Sequence, residues 1–204
     1  MSMAEIWTDA LPHHHMTIMA GTMPSAILGC MVHDVVSLLI DRREFFGDLL
    51  LEHMAISGTA VLIASVLGLA VGMVISGRDR LARYVMGATN VVYTIPSISM
   101  LGFLIPVTGI GNLTAIIALA VYGLLPVIHA TYSGLKNVDP DVLEAARGMG
   151  GSPRQTLFGI TLPLALPAIL TGMRTMVVMT IALTGIASFI GAGGLGVAIY
   201  RGIT

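Results

Sequence analysis

Residues 84–135 read YVMGATNVVYTIPSISMLGFLIPVTGIGNLTAIIALAVYGLLPVIHATYSGL, 52 positions without one Asp, Glu, Lys or Arg. Roughly 25% of the residues in a soluble domain are charged, so a run this long has lipid as its solvent. At about 1.5 Å per residue it provides two crossings of the bilayer core and a short turn. The strongest chain breakers, Pro106-Val107-Thr108-Gly109-Ile110-Gly111-Asn112, put that turn at 106–112. A second span is therefore expected at about 84–105 and a third at about 113–133. Pro96 and Pro126 interrupt them. In lipid a broken helix survives only where protein or a water-filled cavity satisfies the freed backbone groups. Both prolines thus point to sides that face a path or a partner, and a plain kink accounts for them equally well.

The flanks extend the same pattern. Met54–Ser76 runs 23 residues without a charge and reads as the first span. Gly58, Gly68 and Gly72 give it small positions for close helix contact; ordinary membrane-helix composition explains them as readily. Arg78, Arg80 and Arg83 follow at once and place that end in the cytoplasm by the positive-inside rule, with the N-terminus outside. By parity the chain is cytoplasmic again after residue 133, where Lys136, Arg147 and Arg154 lie. Residues 155–200 hold a single charge, Arg174, and make a fourth span that ends outside near the glycines 191–196. Upstream, residues 35–53 mix charges with apolar residues at helical spacing and read as an amphipathic interfacial helix. Residues 1–34 read as an N-terminal extension, poorly ordered. The triplet His13–His15 in it is better explained as a solvated tail than as a metal site.

Composition closes off other classes. Of 204 residues, 55% are hydrophobic and 10% charged, and the net charge is −1, so no basic patch exists to hold a nucleic-acid backbone. A lone cysteine, Cys30, allows no disulfide framework. The only lysine, Lys136, is followed by Asn137, whereas a phosphate-binding Walker loop needs Gly-Lys followed by Ser or Thr. No cofactor is therefore expected on this chain, and any ATP-driven step must come from another polypeptide.

The segment 139–163, on the cytoplasmic side between the third and fourth spans, carries most of the information. Asp139 is a good N-cap, Pro140 suits the first helical position, and Asp141 favours the positive end of the helix dipole. A short helix over 140–148 is expected, stopped by Gly148, Gly150 and Gly151. Ser152-Pro153 caps a second helix in the same way. With Ala145 and Ala146 on its surface, the first helix can sit in a groove on another protein, and Glu144 can fix the register. Held by spans at both ends, it is a mechanical coupling element.

Glu144-Ala145-Ala146, Gly150, Ile160, Leu162 and Pro163 fit EAA-x3-G-x9-I-x-L-P at every defined position. That pattern resembles the signature of binding-protein-dependent ABC importer permeases. Thr94-Ile95-Pro96-Ser97, Leu101–Pro106, Gly134–Pro140, Leu162–Pro167 and Ile190–Gly196 are similar to its glycine betaine/carnitine/choline branch. The resemblance covers about 55–204 and puts the usual beginning of such chains near Met31. It implies an all-α transmembrane bundle of the type I importer kind, with about four spans here and five in relatives, which continue past the position of Thr204. It also implies two ATPase subunits docked on the coupling loops, a second permease chain, an extracytoplasmic binding protein and a prokaryotic inner membrane. His129 stands where such relatives often carry Arg.

Other single residues have two readings each. Arg174 either lines the path or, as preferred, sits at the inner interface where its helix begins. His129 reads as an interhelical hydrogen-bonder before a proton carrier. Tyr93, Tyr122 and Tyr132 can meet a quaternary ammonium through cation–π contact, although packing is the commoner role. The only Trp, Trp7, lies outside the bundle, so a tight ammonium cage is not expected in this chain and cargo choice falls to a binding protein. The possible path residues are thus Pro96, Tyr93, Tyr122 and Arg174. Alternative cargoes for this architecture are methionine or an oxyanion. A secondary transporter driven by an ion gradient is disfavoured because the four spans contain no Asp or Glu. A membrane enzyme is disfavoured because no nucleophile–base pair or metal-ligand cluster stands out.

Overall fold

In the computed structural model, residue 33 and residues 36–203 are described, and among them every regular element is helical. The expected extension over 1–34 lies outside these residues apart from His33.

Helix α1 (Arg43–Ser76) runs 34 residues without a break, so the expected boundary between an interfacial helix and a span at 53/54 is not marked by any turn. Its apolar register simply continues upstream, and the helix carries Glu44, Asp48 and Glu52 at its first end. Its buried stripe includes Ile56, Ala60, Ala64, Gly68, Gly72 and Ile75, spaced by three or four residues. That spacing keeps one face against a neighbour.

Helices α2 (Asp79–Thr94) and α3 (Ser97–Thr108) meet at a 99° bend across Ile95-Pro96. The second span is therefore two helices and not one interrupted helix. Pro96 cannot donate to the preceding turn and biases Ile95 to extended backbone, which ends α2 there. The turn also differs from expectation. Helix α3 runs through Pro106 to Thr108, and the reversal is confined to Gly109–Gly111, where both glycines have positive φ. Pro106 is tolerated because it stands in the last turn of a short helix.

Helix α4 (Asn112–Lys136) is the most buried of the long helices. Pro126 lies inside it without ending it. Helix α5 (Pro140–Gly148) and helix α6 (Pro153–Thr156) follow, then a π-helical turn at Leu157–Thr161 that leads into α7 (Leu162–Ala187). A 3-10 turn (Ser188–Ile190) and a glycine loop precede α8 (Gly196–Ile203).

Close approach of small residues holds α1, α4 and α7 together. A Cβ on Gly68 would meet Val127 at 2.8 Å, and one on Gly72 would meet Thr131 at 2.5 Å. On the other flank of α4, a Cβ on Gly172 would stand 2.2 Å from Ala130 Cβ and 2.7 Å from the Pro126 carbonyl. In lipid, where no hydrophobic force gathers helices, such contact is a main source of association.

Contacts at the two ends give the path of the chain. At one end Lys136 Nζ lies 2.6 Å from Asp79 Oδ1, joining the end of α4 to the start of α2. At the other, Thr108 Oγ1 meets Thr114 Oγ1 at 2.6 Å and Glu52 meets Asn112. The pair α2–α3 thus connects the two ends despite its bend, and the chain passes between them four times, as α1, α2–α3, α4 and α6–α7.

Candidate functional site

The segment 139–163 folds as its caps dictate. Asp139 Oδ1 accepts from the Asp141 N–H at 2.9 Å, and Pro140 occupies the first turn. Helix α5 closes with Met149 N–H donating to Ala145 O and Gly150 N–H to Arg147 O. Gly150, the motif glycine, has φ +82°, a left-handed conformation that glycine adopts without strain. Gly151 is tight instead: a Cβ there would meet the Ala146 carbonyl at 2.8 Å. Ser152 and Gln155 then form a reciprocal capping box at the start of α6.

The face of α5 differs from expectation at one position. Ala146 is only 3% exposed within this chain, unlike its neighbour Ala145. Leu143, one turn earlier, packs with Leu135, Val138, Ala165 and Ile169, while Leu157 and Leu162 press on the same cluster. Glu144 and Ala145 are exposed. With them stand Val142 and the 81% exposed Met149, which Ala145 joins at i, i+3, i+7 spacing. The outward stripe is therefore Val142, Ala145 and Met149. Sequence reasoning missed its two larger members, although their spacing was the available signal.

The far end of the motif has a distinct role. Ile160 is half-buried in the π turn, and Leu162 N–H donates to Leu157 O, five residues back. Pro163 has no N–H for the carbonyl four residues before it. The wider turn absorbs this fault, as π-bulges do. The exposed Pro163 thus sets the geometry by which α5–α6 attaches to α7, and Thr161 Oγ1 supports it by donating to Thr156 O at 3.2 Å. The proline was visible in sequence; the π turn was not.

The path residues fall partly together. Tyr93 and Tyr122 stand 6.4 Å apart between ring centroids. The buried Tyr122 donates its hydroxyl to Ile95 O, so it closes the gap opened at Pro96. Tyr132 packs elsewhere, against Ile75, Ala82 and Ile128. Arg174 lies well inside the helical run that begins at Pro153, and Gly172 just before it touches Pro126, inside α4. It is exposed and has no partner among the described residues. His129 likewise makes no hydrogen bond to a described residue, so the interhelical role expected for it is not observed within this chain.

A carboxylate clamp at the opposite end of the bundle was not foreseen. Glu52 Oε1 accepts from Asn112 Nδ2 at 2.9 Å and Oε2 from Gly194 N–H at 3.2 Å. Asn112 Oδ1 accepts from Gly193 N–H at 2.8 Å. These bonds tie the glycine loop after α7 to α1 and α4. No group of three or more His, Cys, Asp or Glu suited to a metal occurs among the described residues.

Comparison with known proteins agrees with this architecture. The model of the family described as "Binding-protein-dependent transport system inner membrane component" matches residues 60–204. The carnitine transport permease protein OpuCD of Listeria monocytogenes is 37% identical over 173 residues, 83% of this chain and 78% of that protein. The glycine betaine/carnitine/choline permease protein OpuCD of Bacillus subtilis is 42% identical over 160 residues, 78% of this chain and 68% of that one. Among solved structures, a chain of the inward-facing MetNI methionine ABC transporter superposes with a TM-score of 0.70 at 26% identity, covering 76% of this chain and 79% of that one. This chain belongs to the binding-protein-dependent transport system inner membrane components, the membrane-spanning permease subunits of ABC importers.

Proposed function

We propose that this permease imports quaternary-ammonium compatible solutes, of the glycine betaine, choline and carnitine kind, and that α5 is the lever on which a separate ATPase acts. The observation that carries the reading is α5 itself. It is a short, doubly capped helix, seated through Leu143 and Ala146, exposing Val142, Glu144, Ala145 and Met149, and joined at its two ends to α4 and α7. A push on such a helix passes into both long helices at once. The arginines 78, 80, 83, 147 and 154 and Lys136 support a cytoplasmic location for this end, with the N-terminus outside, by the positive-inside rule. Two ATPase subunits, each holding ATP and Mg, dock on the two loops of a permease pair, identical or similar. A binding protein delivers cargo from outside. ATP binding draws the loops together and opens the path outward, and hydrolysis resets it, which is alternating access by differential binding to two states.

The cargo class rests on the names of the relatives above. Methionine is the second reading, because the superposed structure belongs to a methionine transporter. An ion-coupled mechanism has less support: the Glu52 carboxylate on α1 is already bonded to Asn112 and Gly194. Proteoliposomes containing the permease, its ATPase and its binding protein separate these readings. The expected result is ATP-dependent uptake of glycine betaine that methionine does not inhibit. Uptake driven by a sodium or proton gradient without ATP would overturn it.

A further inference from the structure

Between α2 and α4 lies a cavity of about 240 Å³ lined by Asn90, Tyr93, Leu125, Pro126 and His129. Drug-sized ligands occupy roughly 300–1,000 Å³, so this space suits a smaller solute. Asn90 and His129 have no hydrogen-bond partner among the described residues. Two unbonded polar side chains turned to hydrocarbon are costly, so this cavity is built to meet water or a polar solute.

The remaining wall is arranged with care. The Tyr93 hydroxyl reaches Met179 Sδ at 3.5 Å, and its ring is backed by Tyr122 at a tilt of 54°. Tyr122 is fixed in turn by its bond to Ile95 O. The Tyr93 ring is thus held in place while the residue stays 54% exposed. No acidic side chain lines the space.

We propose that this cavity is a transit site for a small zwitterion that carries a quaternary ammonium and a carboxylate. The inference deepens the importer reading above and rests on it. The face of Tyr93 receives the ammonium, and the His129 ring N–H and Asn90 Nδ2 donate to the carboxylate. A quaternary ammonium has no N–H to satisfy, so a π-face is enough for it. A primary ammonium would lose its hydration and find too few acceptors, so ordinary amino acids are selected against. One ring, rather than a cage, keeps the hold weak. Weak holding is what a site on a path requires, since the solute must leave as readily as it enters.

The test uses the whole assembly in proteoliposomes and reads two quantities: uptake of labelled glycine betaine, and ATP hydrolysis stimulated by the loaded binding protein. Tyr93→Leu is expected to lower uptake about tenfold, the worth of one good cation–π contact. Tyr93→Phe keeps the ring and should retain most of the uptake. Asn90→Ala and His129→Ala should each lower it severalfold. Stimulated hydrolysis should stay near the unsubstituted level throughout, so cargo carried per ATP falls. Asn90 is exposed, so its variant is not expected to disturb folding. Uptake unchanged in all variants overturns the site, as does a fall in hydrolysis parallel to uptake, which would place these residues in helix packing. Absence of ATP-dependent betaine uptake by the unsubstituted assembly overturns instead the cargo reading on which the site rests.

Discussion

Gly58 and Gly172 are the same residue with opposite consequences. A Cβ on Gly58 would touch nothing within 4 Å, whereas one on Gly172 would drive into Ala130 and the Pro126 carbonyl. Gly172→Ala should therefore cost about 1–3 kcal/mol through overpacking and lower the melting temperature in detergent. Gly58→Ala should leave it unchanged or raise it, since alanine is the better helix former by about 1 kcal/mol. Equal melting temperatures for the two would contradict the packing described here. In the sequence Gly58, Gly68 and Gly72 looked alike. Only the last two continue the four-residue spacing of Ala60 and Ala64, and that phase was the readable signal. The Glu52 clamp had no such signal, because its members lie at positions 52, 112 and 193–194 and meet only in the folded bundle. Glu52→Ala should accelerate hydrogen exchange at the Gly193 and Gly194 amides while exchange in α4 is unchanged. Slow exchange at both glycines in the variant would show that the loop is held by something else.

At the scale of the element, the limits and caps of α5 were legible because Asp139-Pro140, Gly150 and Ser152-Pro153 act through bonds within a few residues. Which alanine faces outward was not legible, since Ala145 and Ala146 are adjacent and equally small. Burial within the folded chain, 3% exposure for Ala146 against an open Ala145, decides it. Ala146→Leu should unseat α5 and lower both stability and transport, whereas Ala145→Leu should spare stability and impair only coupling to the ATPase; thermal melts beside uptake assays distinguish these outcomes. Gly150→Ala should weaken the end of α5 by about 1 kcal/mol, because an L-residue resists φ near +82°. Limited proteolysis of the 149–152 linker reads this as faster cleavage. The π turn at Leu157–Thr161 is a compromise between a proline and an otherwise continuous helix, and such compromises do not appear in periodicity.

For the whole molecule, counting charge-free residues gave four passages, and the course of the chain between the two bundle ends agrees. What the count missed is the 99° bend at Ile95-Pro96, which sets Tyr93 beside Tyr122 and opens the cavity between α2 and α4. Hydropathy sees length and not direction, so a bent pair reads as one span. The account depends most on α5 being the surface that a motor protein grips. Cross-linking in membranes tests this directly, with Cys30→Ser to remove the native thiol and cysteine placed at Ala145 or at Ala146. The account predicts a cross-link from position 145 to the ATPase subunit, altered by ATP, and little or none from the buried position 146. No cross-link from 145 to any nucleotide-hydrolysing protein, in an assembly that still transports, would contradict it.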